Sequence, residues 1–176
     1  MEIKYIRRRK AREVIVPIGP SVAYLQLTQG QFGLIDRGDA ALLGCRNWYA
    51  LWSKDTQSFY AVGWYGGEKI KLHRLLLGLD RGDARQGDHA NGNTLDFRRN
   101  NLRIATLEQN RRNCRRNRRN TSGFKGVNRS GKKWIARLKV DGGLRLYLGR
   151  FATPEAAGRA YAAAARLHHR EFARIA

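Results

Sequence analysis

An aspartate and a histidine stand side by side at Asp88-His89, and a turn rich in asparagine and glycine follows them. An aspartate carboxylate is a hard oxygen ligand that suits Mg²⁺ or Mn²⁺. A neutral histidine, with an ordinary pKa of about 6.5, can take a proton from water at physiological pH. Hydrolysis of a phosphodiester needs both a cation that stabilises the phosphate and a base that directs the water. The pair therefore predicts metal-assisted phosphodiester cleavage, although two such residues can also be ordinary turn residues.

Positive charge dominates the composition of the chain. Its 176 residues include 35 Lys and Arg against 14 Asp and Glu, which gives a formal net charge of +21. Such an excess favours a polyanionic partner, and we expect double-stranded DNA. The arginines between positions 98 and 119 are expected to contact backbone phosphate. An anionic membrane is the competing partner, but the arginine-rich segment lacks the wide apolar helix face of basic membrane binders. No apolar run is long enough to span a bilayer, and we expect neither a membrane partner nor a small-molecule substrate.

A helix is expected to follow the Asp-His turn. Thr106 and Gln109 have the spacing of a capping box, in which two side chains satisfy two free backbone donors. The helix is expected to continue to about Asn117. Asn110 falls near its first turn and can point back toward the preceding loop, where it could be a second metal ligand. Asn101 could fix that loop by side-chain hydrogen bonds.

Short apolar alternations before this segment predict a β-rich region. We expect strands over 23–27 and 58–64, a hairpin turn at Gly66-Gly67 and a returning strand over 69–73, while 40–52 could include a short helix. His73 would then lie on a strand or its end, where it could touch phosphate or be structural. Three tryptophans are expected in the core rather than as platforms for stacked bases: Trp48, Trp52 and Trp64.

Two clean alternations over 133–140 and 144–148 predict paired strands, joined by a turn at Asp141-Gly142-Gly143. Thr153 and Pro154 are typical of an N-cap and a first helical position, so an Ala-rich helix is expected to follow. Its small residues would let it lie close to the leucine face of the sheet. The other sheet face is basic and partly aromatic, which favours a DNA groove over an ordinary solvated face. We interpret His168 and His169 as favourable charges at the helix C-terminus.

Cysteine usage and the N-terminus bear on the compartment. Cys45 and Cys114 belong to no C-x-x-C pair, so a four-ligand zinc site is not expected. Thiols in a reducing cytosol are the simpler interpretation. Residues 1–12 are basic but no apolar segment follows them, so they do not form a secretory signal. They could form an arm that touches phosphate, or a tail with no role.

A spaced pattern of residues surrounds the Asp-His pair. It comprises His73-Arg74-Leu75, Asp88-His89-x-Asn91-Gly92-Asn93-x-Leu95-Asp96-x-Arg98-x-Asn100-Asn101-Leu102-Arg103, Thr106 and Gln109-Asn110-x-x-Asn113. The pattern resembles the HNH endonucleases of phages and mobile introns. The resemblance implies a ββα-metal nuclease in which Asp88 and Asn110 ligate the metal, and in which His89 is the general base. Asn101 would order the loop, and Asn113 could replace Asn110. An asparagine in place of the family's second histidine favours Mg²⁺ or Mn²⁺ over zinc.

A second pattern lies nearer the C-terminus. It comprises Gly123-Phe124-Lys125-Gly126-Val127, Trp134-Ile135-Ala136, Leu146-Tyr147-Leu148-Gly149-x-Phe151-x-Thr153-Pro154-Glu155-Ala156-Ala157 and Ala160-Tyr161. It resembles the ethylene-response-factor type of DNA-binding domain, which implies a three-stranded antiparallel sheet packed on one helix. The implied DNA contacts are Lys125, Asn128, Arg129, Arg137, Lys139, Arg145 and Tyr147. The arginine-rich segment adds Arg98, Arg103, Arg111 and Arg112 as expected phosphate contacts.

Together these observations predict an α+β protein with three parts. Residues 1–13 would be a basic arm, 14–119 a β-rich region with the nuclease module, and 120–176 the DNA-binding domain. We expect a site-directed DNA endonuclease in the cytoplasm of a bacterial or phage-infected cell. With one site and no evident dimer surface, it should be a monomer that nicks one strand and leaves 5′-phosphate and 3′-hydroxyl ends. The rival functions are a DNA-binding regulator with a decayed nuclease site, and a basic RNA-binding or packaging protein whose binding follows charge and salt alone.

Overall fold

The computed structural model describes residues 13–19 and 21–175. The predicted basic arm, apart from Glu13, lies outside these residues. Within the described part, short strands form four small sheets and are accompanied by four α-helices, an arrangement compatible with the expected α+β class. The chain divides into two compact units. Of the described residues, the first unit contains those up to Asp83 together with Asn93–Arg103, and the second contains Ala84–Gly92 and those from Ile104 onward. Residues 84–92 and 104–119 therefore lie in the same unit as the C-terminal sheet.

The first unit contains two three-stranded antiparallel sheets. One has the order β1 (Val14–Ile15), β2 (Val22–Gln26), β3 (Phe32–Asp36), and the other the order β4 (Tyr49–Ser53), β5 (Ser58–Tyr65), β6 (Glu68–Lys71). Helix α1 (Ala40–Gly44) precedes β4. The predicted alternation buries every second side chain of β2. The core is formed by Ala23, Leu25, Ile35, Leu43, Trp48, Ala61, Leu72 and Phe97.

Two predictions for this region are wrong. The hairpin turn is present, because Gly66 and Gly67 both take positive φ, but the returning strand ends at Lys71. Leu72 and Leu76 instead occupy one buried side of helix α2 (Leu72–Leu76), which places His73 on a helix. Trp48 lies in the core as expected. Trp52 and Trp64 do not, because their side chains are 44% and 64% exposed.

Strand β7 (Gln86–His89) pairs with β8 (Leu102–Ala105), and helix α3 (Leu107–Asn113) follows. The predicted capping box is present. Thr106 Oγ1 accepts from the backbone N–H of Gln109 at 3.2 Å, and the backbone N–H of Thr106 donates to Gln109 Oε1 at 2.8 Å. The predicted continuation to Asn117 is wrong, since Cys114 already has extended backbone angles. A longer helix would put arginines four residues apart, where like charges repel, and it would have no apolar side to bury.

The C-terminal sheet has the order β11 (Arg145–Phe151), β10 (Lys133–Lys139), β9 (Val127–Ser130), and helix α4 (Pro154–His169) packs on it. Thr153 is the predicted N-cap, with its hydroxyl accepting from the Ala156 amide at 3.2 Å. Gly158 faces the Phe124 ring so closely that a Cβ would overlap it. Small residues therefore allow the close packing expected of α4. This core contains Val127, Ala136, Leu138, Ala157, Tyr161 and Ala165.

A β-bulge interrupts the pairing of β10 with β11. Ala136 lies opposite Gly149, whereas the next residue, Arg137, lies opposite Tyr147, so Leu148 is the extra residue. The insertion shifts the alternation of β11 by one position. Arg150 consequently lies opposite Ile135 and shares its outward side of the sheet.

Two further findings concern cysteines and membranes. Cys45 and Cys114 are both free and exposed. Over residues 13–19 and 21–175, no helix combines the length and the apolar character needed to cross a bilayer.

Candidate functional site

The Asp-His pair lies at the end of β7 and is held by an amide from the end of α3. The Asn113 side-chain nitrogen donates to Asp88 Oδ1 at 2.9 Å, to Asp88 Oδ2 at 3.1 Å and to the His89 carbonyl at 2.8 Å. A side-chain amide has two hydrogens, so one of these contacts is shared. All three residues are buried, with His89 only 4% exposed. Asn113 therefore fixes the Asp88 carboxylate relative to the helix.

The turn after the pair is closed by its own backbone and covered by the C-terminal segment. The Gly92 amide donates to the His89 carbonyl at 2.8 Å, and Gly92 has a φ of 71° that favours glycine. The guanidinium of Arg174 occupies the space that a Cβ on Gly92 would fill. Arg174 also donates to the carbonyl of Asn113 at 3.5 Å. No pattern in the sequence singles out Arg174 as a neighbour of this turn.

Asn110, the predicted second ligand, lies three residues before Asn113 on α3. Its side chain is half-buried. Its backbone N–H donates to the Thr106 carbonyl at 3.0 Å as part of the helix. Residues three apart are neighbours on a helix surface, but the structure brings Asn113, rather than Asn110, into contact with Asp88. Asn113, which the sequence offered as the alternative ligand, is thus the residue beside the Asp88 carboxylate.

The atoms near Asp88 that could ligate a metal suit a hard cation better than a soft one. A carboxylate has about four lone-pair positions, so the contacts with Asn113 do not by themselves exhaust the Asp88 oxygens. In the described part of the chain, no group of three or more His, Cys, Asp and Glu side chains is arranged to hold a metal ion. A cation here would therefore depend on one carboxylate, amide oxygens and water, a set compatible with Mg²⁺ or Mn²⁺.

Asn101 belongs to the first unit, where it closes a loop. Its side-chain nitrogen donates to the Asp96 carbonyl at 2.8 Å, and the side chain is buried. Its backbone amide donates to the Arg98 carbonyl at 2.8 Å. Both contacts hold the loop between Asp96 and Asn101 in one conformation. The role that the resemblance implies for Asn101 in the reaction stays a prediction.

Several cations that the sequence assigned to DNA are engaged inside the protein. Arg98 donates to Asp96 through Nε at 2.8 Å and Nη2 at 2.6 Å, and this hydrogen-bonded contact with Asp96 raises the Arg98 pKa. Arg112 forms an ion pair with Asp141. Arg103 is half-buried, whereas Arg111 is exposed on α3. Arg111 is therefore the member of this group most accessible to phosphate.

Lys125 is also directed inward. Its ammonium donates to the carbonyls of Arg112 at 2.7 Å and Cys114 at 2.9 Å. Burial lowers the Lys125 pKa to about 8.

His169 faces the same region, and its Nε2 lies 2.8 Å from the Lys139 carbonyl. Burial lowers the His169 pKa below the ordinary value. A cavity of about 150 Å³ is lined by Glu108, Arg111, Arg112, Lys125, Lys139, Val140, Tyr161 and His169.

The outward side of the C-terminal sheet presents a basic and aromatic surface. Arg137 lies opposite Tyr147, Lys139 opposite Arg145, and Asn128 opposite Ile135, and we call the side that these pairs share the basic sheet face. The bulge adds Arg150, which strict alternation along β11 would place on the other side. Arg129 lies opposite Trp134 and so belongs to the other side of the sheet.

Comparisons with protein-family models, with curated proteins and with solved structures each found no match.

Proposed function

We propose that this protein is a metal-dependent DNA endonuclease that nicks one strand and leaves 5′-phosphate and 3′-hydroxyl ends. One observation supports the proposal above the others. Asp88 and His89 end a strand, and the helix that follows the next strand supplies a buried amide that orients the carboxylate. A carboxylate and a helical amide then meet beside His89, in a chain whose formal net charge is +21.

Each residue would have a defined part in the reaction. Asp88 would hold the cation with an amide oxygen of Asn110 or Asn113, and His89 would take a proton from the attacking water. Asn113 would keep the Asp88 carboxylate in one orientation. A bound Mg²⁺ or Mn²⁺ would supply stabilisation of the negative charge on the phosphate and on the 3′ oxygen as it leaves. Because the 3′ oxygen leaves, the phosphate would remain on the 5′ end.

The basic sheet face would hold the duplex. Basic and aromatic side chains on a small sheet can enter a DNA groove, and Arg137, Arg145 and Tyr147 share this side with Arg150. Contacts to phosphate would fix the position of the duplex, while contacts to base edges would set sequence preference. Substrate affinity and chemistry would then reside in different elements of the chain, so a variant could lose one and keep the other.

A plasmid-nicking assay tests the proposal. Wild-type protein should convert supercoiled DNA to the open circle with Mg²⁺ or Mn²⁺ and should not do so in EDTA. His89→Ala should lose about 10²- to 10⁴-fold of the nicking rate, the usual contribution of a general base, with DNA binding nearly intact. His168→Ala is the matched control, because His168 is an exposed histidine on α4. Nicking that survives in His89→Ala at the wild-type rate would refute the assignment of the base.

A DNA-binding regulator without catalysis is the second candidate, and one observation favours it. Asp88, His89 and Asn113 are all buried and joined by hydrogen bonds, as residues with a purely structural role would be. This candidate predicts tight binding to DNA with no nicks under any divalent metal. The same plasmid assay, combined with a gel-shift measurement, therefore separates the two functions.

A further inference from the structure

The sheet β4–β5–β6 of the first unit has one side on the core and one side facing outward. Ala50, Phe59 and Ala61 belong to or pack against the core. The register pairs Leu51 with Tyr60, Tyr49 with Val62, and Trp64 with Lys69, so these residues share the opposite side. We call this side the aromatic face. Leu51, Trp64, Lys69 and Lys71 are exposed on it, Tyr49 and Tyr60 are half-buried, and Val62 is buried.

Aromatic rings and ammonium groups alternate on this face. The Lys71 ammonium lies 4.5 Å from the centre of the Tyr60 ring, and the Lys69 ammonium lies 5.4 Å from the centre of the Tyr49 ring. Trp64 is 64% exposed and Leu51 is 41% exposed. A large exposed ring costs free energy in water, and a patch of such side chains usually marks a binding surface.

The charges on the aromatic face indicate what could cover it. A second copy of the chain, docked symmetrically, would bring Lys69 and Lys71 of both copies into one interface, and four like charges in one interface disfavour such a contact. A DNA duplex would meet the lysines with phosphate but would offer no base face to Trp64. A single strand offers both, because its unpaired bases expose flat surfaces and its phosphates are spaced between them.

We propose that the aromatic face binds single-stranded nucleic acid, with an unpaired base stacked on Trp64 and the flanking phosphates on Lys69 and Lys71. Stacking on a ring tolerates any base, so the binding would show little sequence preference. This surface lies wholly in the first unit and uses no residue of the candidate nuclease site. The proposal therefore stands or falls independently of the nicking activity.

Tryptophan fluorescence in EDTA provides the test, because no cleavage can then occur. Short oligo(dT) and oligo(U) are titrated into the 176-residue chain at raised salt, which suppresses charge-driven binding. Wild-type emission should be quenched on binding, and most of that quenching should disappear in Trp64→Phe. Trp64→Ala should weaken oligonucleotide binding about tenfold, with binding of the matched duplex unchanged. Comparison of the two oligonucleotides shows whether the sugar matters.

The chain offers a matched control in Trp52. This tryptophan belongs to the same sheet and is 44% exposed, but it lies opposite Phe59, on the other side. Trp52→Ala should leave oligo(dT) affinity unchanged. The proposal is overturned if oligo(dT) causes no quenching, or if Trp64→Ala and Trp52→Ala have equal effects. It is also overturned if Trp64→Ala weakens duplex and oligo(dT) equally, or if sedimentation shows a dimer that Trp64→Ala dissociates.

Discussion

At the scale of single residues, Asn113 joins the end of α3 to the Asp-His pair. Its amide reaches both Asp88 oxygens and the His89 carbonyl. Asn113→Ala removes the donor for three buried acceptor atoms, and we expect a loss of about 1–3 kcal/mol in the free energy of unfolding. Chemical denaturation in EDTA measures this loss without any contribution from bound metal. An unchanged free energy of unfolding would show that these hydrogen bonds contribute nothing to stability.

Asn110→Ala is the matched comparison, because it truncates the same side-chain type three residues earlier on the same helix. The Asn110 side chain is half-buried, so its removal should change stability by no more than about 0.5 kcal/mol. If the Asn110 oxygen binds the cation, as proposed, nicking should still be lost in this variant. A stable Asn110→Ala protein that nicks normally would transfer the ligand role to Asn113.

Asp88, His89 and Asn101 became candidates because each belongs to a spaced pattern that resembles a nuclease family, and their roles in a reaction stay predictions. The pattern could not decide between Asn110 and Asn113, since positions three apart are neighbours on a helix. The choice depends on how α3 is rotated against β7, and tertiary packing sets that rotation. Arg174 belongs to no pattern at all. Its position against Gly92 follows from the path of the C-terminal segment, which local sequence does not encode.

At the scale of elements, Lys125 holds the C-terminal end of α3. The last carbonyls of a helix lack partners within the helix, and the Lys125 ammonium donates to those of Arg112 and Cys114. The contact connects α3, which carries the site amide, to the segment that leads into β9. A cation at this end is also favoured by the helix dipole, while burial opposes the charge.

The pH dependence of stability reveals which of these effects is larger. Burial lowers the Lys125 pKa from 10.5 to about 8 in the folded protein. Between those values the unfolded chain holds a proton that the folded chain does not, so stability should rise with pH across this window. We expect wild type to gain stability relative to Lys125→Met between pH 8 and 10.5. Urea unfolding at several pH values measures the difference. A difference that falls with pH would mean that the carbonyl contacts outweigh burial.

Regular alternation predicted the positions of β5 and β10 from the sequence, and in β10 it matches one buried side. Capping chemistry likewise predicted where α3 and α4 begin. The features that were not predicted are places where the regular pattern of a strand or helix is interrupted. The bulge at Leu148 and the early end of α3 depend on pairing and packing partners distant in sequence. Trp52 and Trp64 were assigned to the core by residue type, whereas strand position determines their exposure.

At the scale of the whole molecule, the charge of +21 overstates the number of groups available to DNA. Arg98 and Arg112 are ion-paired with Asp96 and Asp141, and Lys125 is bonded to carbonyls. Net charge therefore explains attraction to a polyanion but does not locate the contact. The distribution of the remaining cations over particular surfaces, such as the basic sheet face, is what a binding experiment can resolve.

Arg150 provides the sharpest test of that distribution, because strict alternation and the bulge place it on opposite sides of the sheet. Each phosphate contact contributes about 0.9 to the slope of log affinity against log salt concentration. If the basic sheet face binds DNA, Arg150→Ala should reduce the slope by about this amount and weaken binding at every salt concentration.

Arg159→Ala is the control, because Arg159 is an exposed arginine on α4, and α4 covers the other side of the sheet. Fluorescence anisotropy with a labelled duplex, titrated at several salt concentrations, measures both slopes. Equal slopes for the two variants would mean that charge, and not this face, determines where DNA binds.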